Sequence, residues 1–159
     1  DIAESPESVV EYYLQPLLQI VHMFLSVDRF SRDIDKIAAS LRISRPELSD
    51  ALTKLQRCGI IEFANGRYRV IKESLHLARE TPIFPAYQAR LRLKALEHLD
   101  RSTPESSYSF SAIFSSNAKV RLQLQERFMK FLKDAQRISQ QGGQTDVYQM
   151  NFDLFDWST

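Results

Sequence analysis

Between residues 45 and 69 the chain carries side chains suited to holding a polyanion. Arg45, Ser49 and Thr53 recur every four residues, so on a helix they share one face, with Lys54 and Arg57 beside them. Arg67 and Arg69 follow ten residues on. Guanidinium and hydroxyl groups at the start and middle of a helix can hydrogen-bond base edges in the major groove, which makes Arg45 and Ser49 the first candidates and Thr53 the next. Arg57, Arg67 and Arg69 stand where helix ends and hairpins meet phosphates. Glu47 and Asp50 oppose this, leaving the helix itself with only one positive charge in excess.

Other chemistry finds little footing. His22, His76 and His98 are far apart, and none has a partner at recurring metal-ligand spacing. Four glycines cannot build a phosphate-cradling loop, and no serine sits in a nucleophile elbow. Cys58 precedes Gly59 on the inner side of the same helix, where a small packed residue is expected. Neither catalysis nor a cofactor or metal is expected.

The elements that would position these residues are legible in the pattern. Ser5-Pro6-Glu7 opens a first helix, with Ser5 as cap, whose apolar face is Tyr13, Leu17, Ile20, Phe24 and Val27. Pro16 inside that run predicts a kink or a restart. A second helix over Arg32–Leu41 presents Ile34, Ile37, Ala38 and Leu41. After the turn Arg42-Ile43-Ser44, the spacing Ser44-Arg45-Pro46-Glu47 predicts a capping box. Leu48, Leu52 and Leu55 then face inward, and Gly59 suits the left-handed residue that ends the helix. Asn65-Gly66 between Ile60–Phe63 and Tyr68–Ile71 predicts a tight hairpin. Helix, turn, capped helix and hairpin in this order predict a winged helix-turn-helix over residues 1–72.

Residues 73–84, with Pro82, read as a linker. Residues 85–159 then read as helix, strand, helix, strand: Pro85–Leu99, Tyr108–Phe114, a long helix capped by Asn117 with Val120, Leu124, Phe128, Phe131, Ala135 and Ile138 on one stripe, and Val147–Phe155. Tyr108, Phe110, Ala112 and Phe114 would share a face with Tyr148, Met150, Phe152 and Leu154. Two strands alone are marginal, and a free edge invites a second copy, so a homodimer through this half is expected. The fold class predicted is α+β.

Charge and composition fit a binding module. The total of +1 hides an uneven distribution: residues 1–28 hold only acids, whereas residues 29–72 hold ten bases against five acids. An apolar content of 43% allows an ordinary core, and a single cysteine excludes an intrachain disulfide and fits a cytoplasmic location. The longest apolar run, Leu17–Val27, is broken by Gln19, His22 and Ser26, too short and polar for a bilayer. No secretory signal is visible, and the start at Asp1-Ile2 without methionine is that expected of a piece of a longer chain.

Several motifs together resemble the bacterial family catalogued as domain of unknown function 4423. They are Glu11-Tyr12-Tyr13, Ile37-Ala38, Leu52 with Leu55, Gly59-Ile60-Ile61, Ser109-Phe110-Ser111, and Val147-Tyr148-Gln149-Met150-Asn151 with Leu154-Phe155. The resemblance covers nearly the whole chain and departs at Pro16, where such proteins tend to carry tryptophan, and at Asp156-Trp157, where proline often follows. It implies the C-terminal region of a larger transcriptional regulator, with a helical segment upstream, and supplies no catalytic residues. The function expected is DNA binding in bacterial transcription regulation. The alternatives are a protein–protein adaptor that never touches DNA, or a sensor of a small ligand acting through the second half.

Overall fold

The structure, a computed structural model, describes residues 6–73, 77 and 80–159. The expected Ser5 cap, His76 and part of the linker lie outside the described residues. The fold is α+β: among the described residues it has helices and one two-stranded antiparallel sheet. Two compact units form, one of Asp1–Arg101 with Gln144–Gln149, the other of Ser102–Gly143 with Met150–Thr159.

In the first unit Pro16 splits the opening run into α1 (Pro6–Leu14) and α2 (Pro16–Leu25). Gln15 takes extended angles, as a residue before proline must, and the proline then starts α2. The helix expected over Arg32–Leu41 is found as α4 (Asp35–Leu41), which starts three residues later, and a separate single turn, α3 (Asp28–Ser31), precedes it. Asp33 marks the late start: its carboxylate accepts from the Asp35 amide at 3.2 Å, a local bond made ahead of the first turn.

Next come α5 (Arg45–Arg57), β1 (Ile61–Ala64) and β2 (Arg67–Val70). The hairpin register pairs Ile61 with Val70 and Ala64 with Arg67. Asn65 and Gly66 both take positive φ, 53° and 76°, the requirement of a two-residue turn that follows strand twist.

α2 is the centre of this unit. Its Leu18, Val21 and Leu25 are buried with Ile37 and Ala38 of α4, Leu48, Ala51, Leu52 and Leu55 of α5, and Ile60 and Ile61. His22 is fully buried among them and doubly satisfied. Its Nε2 stands 2.8 Å from the Lys72 carbonyl, which can only accept, so Nδ1, 2.8 Å from the Tyr12 hydroxyl, accepts that O–H. Burial pushes the His22 pKa down and the Tyr12 pKa up.

The helix α6 (Phe84–Leu99) belongs to this first unit. Tyr87 meets Tyr13 edge-on at 5.1 Å, and Arg90 donates to the Leu14 carbonyl at 2.7 Å. The first unit therefore runs past the Lys72 boundary read from the sequence, because Ile83 and Tyr87 pack on its core. Val147 packs there too, while Gln149 donates to the Leu91 carbonyl at 3.3 Å.

The second unit is built on α7 (Ala118–Ser139), capped as expected by Asn117, whose side chain accepts from the Val120 amide at 3.1 Å. The strands expected at Tyr108–Phe114 and Val147–Phe155 are a correction: the β1–β2 ladder is the sole sheet among the described residues. Alternation favours an extended chain, but a strand exists only against a partner edge. The last segment is also divided, with Val147 on the first core and Phe152 stacked on Phe128 of α7 at 3.7 Å.

Candidate nucleic-acid interface

The capping box at the start of α5 forms as the spacing predicts. The Glu47 amide donates to Ser44 Oγ at 3.2 Å, and the Ser44 amide donates to the Glu47 carboxylate at 2.7 Å. The Ser44 amide, and then its hydroxyl, hold the Glu47 carboxyl below the usual carboxylate range. At the other end Gly59, φ 68°, donates to the Gln56 carbonyl and Ile60 donates to the Leu55 carbonyl, at 2.9 and 3.0 Å. That paired pattern is a Schellman end, and it turns the chain directly into β1. The base of the hairpin is then tied back by the Ile71 amide on the Ile60 carbonyl at 2.8 Å.

With both ends fixed and Leu48, Ala51, Leu52 and Leu55 inside, the rotation of α5 is set. Arg45, Ser49 and Thr53 are exposed along one stripe, as expected, and Gln56 joins them. Gln56 was missed in reading the sequence. Its signal was available: it lies seven residues after Ser49 and three after Thr53, and its amide can pair bidentately with adenine. Thr53 Oγ1 donates to the Ser49 carbonyl at 2.9 Å, leaving its oxygen as an acceptor.

Each basic residue proposed from the sequence meets a carboxylate. Arg45 pairs with Asp35 at 2.5 Å, Lys54 with Asp50 at 2.7 Å, Arg57 with Glu11 at 2.5 Å and Arg67 with Asp28 at 3.8 Å. Arg69 pairs across the hairpin with Glu62. Lys54 is the most withdrawn: its side chain is 24% exposed and also donates to Gln15 Oε1 at 3.0 Å, so it faces the α1–α2 junction rather than the stripe. The bond to Glu11 raises the Arg57 pKa further, and bonding to Arg32 lowers that of Asp28. Such pairs at the surface are weak, because water screens them, and they are open to exchange for phosphate.

A second residue missed from the sequence is Arg42. It takes a left-handed conformation, φ 53°, at the end of α4, while the Arg42 and Ile43 amides bond the Ala39 and Ala38 carbonyls. Glycine usually fills this place, and a side chain there is strained. Arg42 is exposed in the turn before α5 and makes no ion pair among the described residues.

Elsewhere Cys58 is buried, which pushes its thiol pKa up. Among the described residues no cluster of three His, Cys, Asp or Glu side chains could hold a metal. A shallow groove of about 350 Å³ lies between the α1–α2 junction and α6, lined by Leu14, Pro16, Leu17, Arg90 and Leu93 among others. No described helix is long and apolar enough to cross a membrane.

The architecture is thus a small helical unit with a hairpin, followed by a helix-centred second unit. The chain belongs to the family described as a domain of unknown function, DUF4423, whose model matches residues 4–156. No curated protein and no solved structure matches it.

Proposed function

We propose that α4, the Arg42–Ser44 turn, α5 and the β1–β2 hairpin form a winged helix-turn-helix, and that the protein is a cytoplasmic bacterial transcriptional regulator binding DNA through it. The observation that carries this reading is the face of α5. A helix whose opposite side is wholly in the core presents Arg45, Ser49, Thr53 and Gln56 together, with a cationic hairpin directly after it. Ser49, Thr53 and Gln56 supply base-edge groups, Arg45 a bidentate fork, and Arg57, Arg67 and Arg69 phosphate contacts. Arg42 supports it: a strained residue in a tight turn is retained where its side chain is useful.

A second reading, a protein-docking module, is favoured by one observation. Every basic side chain proposed from the sequence already has an acidic partner within the chain. The two are separated by the Arg45→Ala/Arg57→Ala double variant, titrated with a mixed-sequence DNA duplex at low salt. A DNA binder loses affinity by ten-fold or more, at about 1–3 kcal/mol per good contact. Unchanged affinity sinks the DNA reading.

A further inference from the structure

The second unit has no buried residue among its described members, although α7 is amphipathic and its neighbours are rich in aromatic side chains. Tyr108, Phe110 and Ile113 are 92%, 79% and 90% exposed, and Phe114, Phe155 and Trp157 are more than half exposed. At roughly 200 Å² for each large side chain, Tyr108, Phe110 and Phe114, on one side of the segment, leave on the order of 450 Å² open per copy, and Ile113, Phe155 and Trp157 a similar area. A standard interface takes about 800 Å² from each partner.

The apolar stripe of α7 is only half covered. Val120, Phe128 and Ala135 are partly buried, with Phe152 stacked on Phe128, but Leu124, Phe131 and Ile138 stay exposed at seven-residue spacing. Charge then selects how two copies would meet. α7 carries six bases against two acids, so two such helices repel. The segment Tyr108–Phe114 carries no charge and puts Tyr108, Phe110, Ala112 and Phe114 on one side, with Ser109, Ser111 and Ile113 on the other. It is its own complement.

We infer that the second unit is a homodimerisation module in which Tyr108–Phe114 of two copies pair edge to edge as antiparallel strands, forming a sheet whose apolar face covers Leu124, Phe131 and Ile138. A two-fold axis through such a pair makes the interface isologous, the same surface being used on both copies. It also explains why a segment with strand alternation has no ladder within one chain: its partner edge is on the second copy. The inference stands apart from the DNA reading and survives its failure.

Sedimentation of the full chain across low to high micromolar concentration tests it. The wild type is expected to be a dimer at tens of micromolar. Phe110→Lys, which places a charge on the apolar face, and Ser111→Pro, which removes a ladder donor, should each raise the dimer Kd by roughly ten-fold or more. Circular dichroism checks that helix content is kept. Because a variant could lose dimers by misfolding, Ser111→Cys in a Cys58→Ala background gives an independent measure: oxidation should link two copies. A monomeric wild type throughout the range overturns the inference, as does a dimer that both variants leave intact or one that does not cross-link through position 111.

Discussion

The Arg45 guanidinium meets the Asp35 carboxylate at 2.5 Å, so the first turns of α4 and α5 are joined by an ion pair directly beside the proposed reading face. Both side chains are more than half exposed. A base edge and the carboxylate therefore compete for one fork. Asp35→Asn should tighten binding to duplex DNA by several-fold while leaving the log–log salt slope nearly unchanged, measured by fluorescence anisotropy, because the freed fork meets a base and not a phosphate. Unchanged affinity would mean that Arg45 does not reach the groove.

Arg42 offers a separation of stability from binding. Replacing a left-handed residue by glycine relieves strain of about 1 kcal/mol, so Arg42→Gly should raise stability by that order. The same change should weaken DNA binding, because a cation leaves the turn before α5. Urea denaturation and anisotropy on one preparation read both. If stability falls, the strain assigned to Arg42 is wrong.

Leu55 is fully buried between α5 and the rest of the core. Leu55→Ala should cost about 2–5 kcal/mol in urea denaturation, since the transfer and cavity costs add. A loss under 1 kcal/mol would contradict the packing that fixes the rotation of α5.

His22 sets the acid limit of the first unit. Its pKa in the folded state is below the ordinary 6.5, mainly through burial, so the unfolded chain binds the proton more readily. Stability that is full above about pH 6.5 is then lost as pH falls below that value toward the folded pKa. His22→Gln can keep one of the two hydrogen bonds and cannot titrate there. It should be less stable near neutrality but show a flatter pH dependence, and an equal slope in both proteins would exclude His22 as the cause.

Much of the first unit was legible because its signals are local. Ser44 with Glu47, Gly59, and Asn65-Gly66 each act through bonds made within a few residues, and each appears where the spacing puts it. Pro16 announced the break between α1 and α2 for the same reason. The late start of α4 was less visible, since Asp33 can be an ordinary exposed helix residue until its carboxylate is seen on the Asp35 amide. Ion pairing was not legible: Arg57 and Glu11 are 46 positions apart, and nothing in their spacing announces their meeting. The packing of α6 on α1 rests likewise on Tyr13 and Tyr87, remote in sequence. For Tyr108–Phe114 the period of two was present, but a period cannot supply the partner edge that makes a strand.

The central claim is that this unit binds DNA through α5 and the hairpin. Its most direct test is the affinity of the full chain for a DNA duplex measured across a range of salt. With Arg42, Arg45, Arg57, Arg67 and Arg69 at the backbone or in the groove, the log–log slope should be roughly −4 per copy, at −0.9 per neutralised phosphate with one fork reserved for a base. A slope near zero, or no binding at low salt, would contradict it.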